Sequence, residues 1–264
     1  MANSGDDTLV CTESAGDPTK PAIVFLHGLA NCAAAWDGHF ADPYLFQNFF
    51  LVRYDMRGHG MSGKPFEPED YESIRFAEGF KAVCDGYGLK KPFFAGWSLG
   101  GSVVVDIVAA YGPSCIAGVL CIGGPVLSLT KYFPQCANPF LEITILSEPT
   151  DAIDVSIAAN AFVDSCVAPN YPLSYSLKLK MLGAFVAQPR TVRVNHICRT
   201  QPSEFCEQHA RDVPNMLRFV KEHYKDVEVK MLPGVGHSPA LERVAETKLY
   251  IREWVTKVSA KQAM

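Results

Sequence analysis

The sequence lacks the surplus of basic residues that nucleic-acid-binding proteins carry. Its 264 residues include 24 Lys and Arg against 28 Asp and Glu, which gives a net charge of −4, and no block of Lys and Arg stands out. Because binding to a phosphate backbone depends on clustered positive charge, we expect no nucleic-acid partner.

Long apolar runs are also absent. The longest apolar stretches have the length of β-strands, whereas a helix that crosses a membrane needs about 20 apolar residues. The opening decapeptide, MANSGDDTLV, contains no basic region followed by an apolar one, as a secretory signal would. We therefore expect no membrane association and a cytoplasmic location.

The nine cysteines form no C-x-x-C pair and no cluster of the kind that binds zinc. Several lie in apolar runs, such as Cys121 in GVLCIGG. This placement is typical of buried thiols in a reducing compartment, in agreement with a cytoplasmic location. We therefore predict no metal site, and none of the motifs described below requires a cofactor.

Strand-like and helix-like segments alternate along the first half of the chain. The strand-like runs are residues 22–28, 49–55, 92–97 and 117–124. The helix-like segments between them include Ala77–Leu89 and Leu99–Tyr111. Apolar strands that alternate with helices indicate an α/β fold, with a mostly parallel central sheet and helices on both faces.

This alternation is interrupted between residues 125 and 190, where Pro, Asn and Ser recur and the periodicity is irregular and helical. The segment is too long for an ordinary loop. We predict a helical cap at 125–190, inserted into a core formed by 1–124 and 191–264. The alternation then returns with a helix opened by Pro214, a strand and turn at Asp226–Gly234 and a last helix at roughly Ala240–Val258.

The stretch GWSLGG places Ser98 where the strand PFFAGW ends and a helix begins. Gly96 and Gly100 flank this serine and let the strand and the helix pack closely. The letters alone also fit a glycine-rich loop with an N-capping serine. A strand before the serine and a helix after it favour a nucleophile held on a sharp turn, with its hydroxyl lifted clear of the sheet.

Two further motifs complete this interpretation. In FLHGLA, Gly28 ends a strand and starts a loop, so the amides of Leu29 and Leu99 could together form an oxyanion hole. In LPGVGHSP, His237 follows the serine in the chain and lies on a glycine-rich turn, and we favour it as the base over the other six histidines.

The motif YDMRGHGMSGKP carries Asp55, Arg57 and His59 and has a catalytic look. It is nevertheless a glycine-rich turn after a strand, in which buried polar groups need backbone partners. We expect these three side chains to be structural.

Four motifs together, HGLA, DMRGHGMS, GWSLGG and GVGHSP, resemble the α/β-hydrolase fold superfamily over nearly the whole chain. The details are similar to small lidded members such as carboxylesterases, lactonases and carbon–carbon bond hydrolases. The resemblance implies that Ser98 is the nucleophile, that His237 is the base, and that the Leu29 and Leu99 amides hold the oxyanion. It also implies that residues 125–190 are the family's cap.

The resemblance also implies an acid that completes the triad. In the family the acid follows a strongly apolar strand, whereas the corresponding stretch here, QPSEFCEQHARDVPNML, is polar. Asp212 lies 25 residues before His237 and just ahead of the helix opened by Pro214, and is the acid we favour. Glu204 and Glu207 are the alternatives. Either an atypical strand forms here, or a strand's worth of residues is missing from this version of the chain.

The resemblance implies hydrolysis of a carboxylic ester or lactone of a small, apolar molecule through an acyl-enzyme, without a metal or organic cofactor. We expect the substrate pocket to be bordered by His27, Gly28, Trp97, Phe140 and Phe162. The aromatic cap residues, Phe140 and Phe162 among them, fit internal packing of the cap equally well. The alternatives are a non-hydrolytic ligand-binding protein of the same fold, or a cofactor-free carbon–carbon hydrolase or haloperoxidase-like enzyme. An epoxide hydrolase is disfavoured because such an enzyme needs Asp at the position that Ser98 occupies on the sharp turn.

Overall fold

The computed structural model describes residues 1–124, 149–201 and 227–262. The strands are β1 (Ala2–Asn3), β2 (Leu9–Val10), β3 (Thr12–Ala15), β4 (Ala22–Leu26), β5 (Phe50–Tyr54), β6 (Phe93–Trp97) and β7 (Gly118–Ile122). The α-helices are α1 (Asp37–Phe40), α2 (Pro43–Asn48), α3 (Ser73–Tyr87), α4 (Leu99–Tyr111), α5 (Ala152–Ser165), α6 (Tyr175–Ala187), α7 (Arg190–Cys198), α8 (Pro239–Glu242) and α9 (Val244–Gln262).

Five of these strands form the central sheet in the order β3-β5-β4-β6-β7. Strands β5, β4, β6 and β7 run parallel to one another, and Val24 of β4 lies opposite both Val52 and Phe94. Strand β3 lies at the edge of the sheet and pairs antiparallel with β5. The predicted α/β class with a mostly parallel sheet is confirmed.

Successive residues of each strand point to opposite faces of the sheet, and the two faces are covered by different helices. Val24 and Phe94 belong to a core shared with α3 and α4, whereas Ile23 and Phe93 belong to a second core shared with α9. Burial on both faces explains why these strands are apolar at nearly every position instead of alternating.

In the described part of the predicted cap the structure has helices α5 and α6, and helix α7 begins at the cap's last residue, Arg190. Helices α5 and α6 pack together through Phe162 and Phe185, whose ring centroids lie 5.3 Å apart. Helix α7 follows at once, and its His196 contacts Arg57 in the core. The exact division into core and cap stays a prediction. No helix among the described residues is both long and apolar enough to cross a bilayer.

Of the strand and turn predicted at Asp226–Gly234, the strand is wrong for the part that the structure describes, because residues 227–234 contain no strand, whereas residues 233 and 234 do form a turn. A strand of a parallel sheet forms only beside a neighbour, and within the described ranges β7 is the last strand on that side. The helix predicted from Pro214 falls between 202 and 226 and lies outside the described residues. The predicted last helix is divided in two at Arg243, which takes a non-helical backbone conformation.

The expectation of buried thiols holds for only part of the cysteines. Cys84 and Cys166 are buried, and burial raises the pKa of each thiol to about 12. Cys121 is only half-buried, and the expectation is wrong for Cys198, which is exposed at the end of α7. An apolar run in the sequence therefore did not guarantee burial of its cysteine.

Close packing of α4 on the sheet depends on glycine. A Cβ atom on Gly100 would lie 2.5 Å from the backbone oxygen of His27 and 2.6 Å from that of Leu26. On Gly96 it would lie 2.6 Å from the Cα of Gly101. These neighbours are backbone atoms, which cannot turn aside as a side chain can.

We predict that Gly100→Ala lowers the free energy of unfolding by about 2 kcal/mol, because the added methyl group forces α4 away from β4. Gly79→Ala is the matched control, since Gly79 is buried in α3 and has nothing within 4 Å of the added carbon. That control should be neutral or stabilising by up to about 1 kcal/mol. Urea denaturation of both variants measures the difference, and equal midpoints would contradict the packing argument.

A buried histidine makes stability depend on pH. His39 of α1 donates from Nε2 to the Thr247 hydroxyl of α9, at 3.1 Å, while Thr247 donates to the Arg243 carbonyl. Burial lowers the pKa of His39 from 6.5 to about 3. As the pH falls below 6.5, His39 therefore becomes protonated in the unfolded chain but stays neutral in the folded protein. The stability that neutral His39 contributes is present above pH 6.5 and is lost as the pH falls towards 3.

We predict that His39→Gln, which keeps a donor near Thr247 but does not titrate, flattens the acid side of the stability profile. The free energy of unfolding of the wild type should fall more steeply than that of the variant by about 1.4 kcal/mol per pH unit. Denaturant unfolding at several pH values between 6 and 4.5 measures both slopes. Parallel slopes would show that His39 is protonated equally in the folded and unfolded protein.

Candidate active site

Ser98 lies at the sharp turn between β6 and α4. Its backbone angles, φ 53° and ψ −122°, are ones that residues with a side chain rarely adopt. The turn is held by a hydrogen bond from Ser98 N to Ile122 O at 2.9 Å and by another from Gly101 N to Ser98 O at 2.8 Å. The side chain makes no capping hydrogen bond to α4. The alternative of a simple N-capping serine is therefore not what the geometry supports.

The hydroxyl of Ser98 instead meets His237. The distance from Ser98 Oγ to His237 Nε2 is 2.7 Å, although the two residues are 139 positions apart. This is the reach that a base needs in order to take a proton from a nucleophile.

The His237 loop is fixed against the end of the sheet. The indole of Trp97, the last residue of β6, donates from Nε1 to His237 O at 2.9 Å. Gly123 follows β7 with a positive φ of 73°, and a Cβ there would lie 2.5 Å from the same His237 oxygen. Trp97 is almost completely buried, so its indole holds the backbone of His237 and exposes little surface to the predicted substrate pocket.

Desolvation by the surrounding protein lowers the pKa of His237 below 6.5, although one side of the residue is exposed to solvent. The negative charge of Glu242 opposes this effect and raises the pKa. The net direction keeps the imidazole neutral at pH 7, and only the neutral form can accept a proton from a serine hydroxyl.

The two expected oxyanion donors lie on either side of the serine. Leu99 N–H is the first amide of α4, and Leu29 follows Gly28, whose added Cβ would lie 3.2 Å from the Ser98 Cβ. Among the described residues, neither amide donates to a protein acceptor. Two unpaired amides beside a nucleophile are the arrangement that stabilises a developing oxyanion.

The next residue in this loop is held by a buried histidine. Ala30 has a positive φ of 50°, and its amide donates to His59 Nε2 at 3.2 Å. The Gln188 amide group lies 2.9 Å from the same nitrogen, while His59 Nδ1 donates to Arg57 O. Burial lowers the pKa of His59 well below 6.5, so the ring stays neutral and its Nε2 can accept the Ala30 hydrogen.

Asp55 and His27 have similar structural roles. Asp55 accepts the amides of Ala33 and Met61, at 2.7 and 2.8 Å. His27 is fully buried, with Nδ1 donating to Gly28 O and Nε2 accepting the Met56 amide. These bonds support the expectation that the glycine-rich turn is structural. They also bury the His27 ring beneath the site, so the ring does not border the substrate pocket as predicted. In this part of the site only the backbone around Gly28 can do so.

The described part of the cap contributes differently from what we expected. Phe162 is buried and packed on Phe185, which favours the packing alternative over the pocket. Tyr171 donates to the Leu241 carbonyl at 3.2 Å. Phe140 lies outside the described residues, as do the three candidate acids, Asp212, Glu204 and Glu207. In the described ranges no group of His, Cys, Asp or Glu is arranged to hold a metal ion.

Glu242 was not predicted from the sequence; its carboxylate accepts hydrogen bonds from Gly236 and Ala168. The only signal in the sequence is an acidic residue one short helix after His237. The hydrogen bonds depend on the cap segment reaching that helix, and the sequence alone does not reveal such a contact.

The strained backbone of Ser98 predicts that two variants lacking the hydroxyl differ in stability. Ser98→Gly and Ser98→Ala both remove the hydroxyl, but only glycine accepts the backbone angles at this position without strain. We expect Ser98→Gly to be more stable than Ser98→Ala by about 1 kcal/mol, after allowing for the greater freedom of glycine in the unfolded chain. Thermal unfolding of the two variants measures the difference, and a more stable Ser98→Ala would refute a strained elbow.

Comparisons with known proteins agree with this architecture. A family model described as the alpha/beta hydrolase fold matches residues 21–144. A solved structure from Burkholderia cenocepacia, described as a "putative aryl esterase", superposes with a TM-score of 0.85 at 24% identity, and the alignment covers 98% of each chain. At this identity the likeness speaks for the fold alone.

Curated relatives match over shorter stretches. The "Probable oxidoreductase EphD" of Mycobacterium tuberculosis is 35% identical over 83 residues, 31% of this chain and 14% of that protein. The "Bifunctional esterase/perhydrolase DCH" of Acinetobacter calcoaceticus is 29% identical over 122 residues, 46% of this chain and 43% of that protein. The chain thus matches less than half of the length of either relative. Taken with the sheet order and the sharp turn at Ser98, the family match over residues 21–144 and the superposition show that the chain has the α/β-hydrolase fold.

Proposed function

We propose that the protein is a serine hydrolase that cleaves a carboxylic ester or lactone of a small, apolar molecule. The observation that carries the proposal is the 2.7 Å hydrogen-bond distance between Ser98 Oγ and His237 Nε2. Because the serine occupies a strained turn and the histidine is kept neutral, both groups are in the state that nucleophilic attack requires.

The reaction would proceed in two stages. Ser98 Oγ attacks the carbonyl carbon while His237 takes its proton, and the Leu29 and Leu99 amides stabilise the oxyanion. His237 then gives the proton to the leaving alcohol, which leaves an acyl group on Ser98. A water molecule, deprotonated by His237, attacks this acyl-enzyme, and collapse of the second tetrahedral intermediate releases the acid and restores the serine.

Asp212 is our candidate for the acid that orients His237 and stabilises its charged form. It lies outside the described residues, and the order Ser98, Asp212, His237 along the chain supports its choice. The mechanism needs no metal or organic cofactor, because backbone amides stabilise the charge that develops.

The names of similar proteins support the same class of substrate. The Burkholderia cenocepacia structure is described as a "putative aryl esterase", and the Acinetobacter calcoaceticus relative as an esterase and perhydrolase. We extend the ester-cleaving activity to this chain as part of the proposal. Residues 125–190 would form the cap over the substrate, and Gly28 would border the reacting carbonyl from the core.

A fluorophosphonate probe tests the proposal directly, because it reacts covalently with an activated serine. We predict labelling of the wild type, and loss of labelling in Ser98→Ala and His237→Ala. Hydrolysis of a p-nitrophenyl ester should fall in each variant by about 10⁴-fold or more. Ser102→Ala is the matched control, because the Ser102 hydroxyl donates to Leu99 O within α4 and lies outside the proposed mechanism.

The same assay identifies the acid. Labelling should slow strongly in Asp212→Asn and remain in Glu204→Gln and Glu207→Gln, provided that each variant unfolds cooperatively. A wild type that unfolds cooperatively and still fails to react would contradict the hydrolase proposal. The protein would then be tested as a ligand-binding member of the fold.

A further inference from the structure

Glu242 joins two segments that are distant in the sequence. It is the last residue of the short helix α8, and its carboxylate accepts the Gly236 amide at 3.0 Å on Oε1 and 3.1 Å on Oε2. Oε2 also accepts the Ala168 amide at 3.0 Å. Gly236 immediately precedes His237, and Ala168 lies in the turn between α5 and α6.

The carboxylate is buried, with 7% of the residue exposed. In the described part of the chain no Lys or Arg forms an ion pair with it, and its polar partners are backbone amides alone. An ionised carboxylate accepts hydrogen bonds and donates none, so donors on both oxygens match its charged form. A buried charge compensated only by amides is costly to assemble and is expected where it has a definite task.

The two segments held by Glu242 are in direct contact. A Cβ atom on Gly236 would collide with the Ala168 amide nitrogen and the Val167 carbonyl carbon, and would lie 2.8 Å from Glu242 Oε1. A second hydrogen bond, from Tyr171 to the Leu241 carbonyl, also joins the turn between α5 and α6 to helix α8. Residue 236 must therefore be glycine for this contact to form.

His237 is consequently held from two sides. Trp97 donates to its carbonyl from the end of β6, and Glu242 of α8 accepts the amide of the preceding residue. Among the described residues, Glu242 is the charged group whose field acts on the imidazole. Its negative charge favours the protonated ring, which is the form that His237 takes after accepting the Ser98 proton.

We propose that Glu242 is a positioning residue for His237. Its carboxylate ties the His237 loop to the turn at Val167 and Ala168, and its charge stabilises the imidazolium that forms during turnover. The catalytic part of this inference rests on the proposed function. The hydrogen bonds and the effect on the imidazole do not depend on turnover and can be measured separately.

The first test is an NMR titration of the full chain with ¹³C-labelled histidine, in which His237→Asn assigns the His237 signal. Glu242→Gln should lower the pKa of His237 by about 0.5 unit or more, because it removes the charge and keeps the size. Tyr171→Phe is the matched control: it removes the neighbouring hydrogen bond between the same segments and leaves the charge in place. The control should leave the pKa of His237 unchanged.

The second test is hydrogen exchange of the Gly236 and Ala168 amides. In the wild type both amides should be protected, and in Glu242→Gln they should exchange about tenfold faster or more, because the side-chain amide can no longer accept on both sides. Unprotected amides in the wild type would overturn the proposal even if the variant failed to fold.

Ester hydrolysis then connects the two proposals. The acid limb of the kcat/KM profile should move to lower pH in Glu242→Gln, by the same amount as the NMR titration gives. An unchanged His237 pKa in a folded Glu242→Gln variant would overturn the role of Glu242 while leaving the hydrolase intact. A wild type that ignores the fluorophosphonate but shows the shift in pKa would refute the proposed function and leave the positioning by Glu242 standing.

Discussion

The turn between β6 and α4 is the constraint on which the candidate site depends. Ser98 keeps its strained angles only because backbone packs directly on backbone around it, at Gly96 against Gly101 and at Gly100 against the end of β4. A bulkier residue at either glycine would push the helix outward. The same helix supplies the Leu99 amide, so one packing constraint fixes both the proposed nucleophile and one proposed oxyanion donor.

The proposed base, His237, is brought to Ser98 in a different way. His237 lies on a loop outside regular structure, and its position follows from tertiary contacts with Trp97 and Gly123 at the ends of two strands. Burial of the imidazole lowers its pKa and keeps it a proton acceptor. A rigid elbow and a docked loop thus place two groups from distant parts of the chain within hydrogen-bond reach.

What could be predicted from the sequence was what local chemistry determines. The strands were identified because burial on both faces makes them apolar throughout, and α4 was predicted with the bounds it has in the structure, Leu99–Tyr111. Position in three dimensions was harder. The segment at 227–234 has strand composition but no partner strand in the described part of the chain, and the motif at His27 did not reveal that its ring turns away into the framework. Glu242 was missed because its hydrogen-bond partners include Ala168, 74 residues away in the sequence.

Both halves of the site are also tied to the helices beyond the sheet. On the oxyanion side, Gln188 at the end of α6 contacts His59, which in turn holds the Ala30 amide. On the base side, Ala168 between α5 and α6 is bound by Glu242 beside the His237 loop. Because these links are buried and polar, breaking either one leaves an unpaired group, and a shift of α6 would disturb both halves together. The helices of the predicted cap therefore also help to set the geometry of the proposed nucleophile and base.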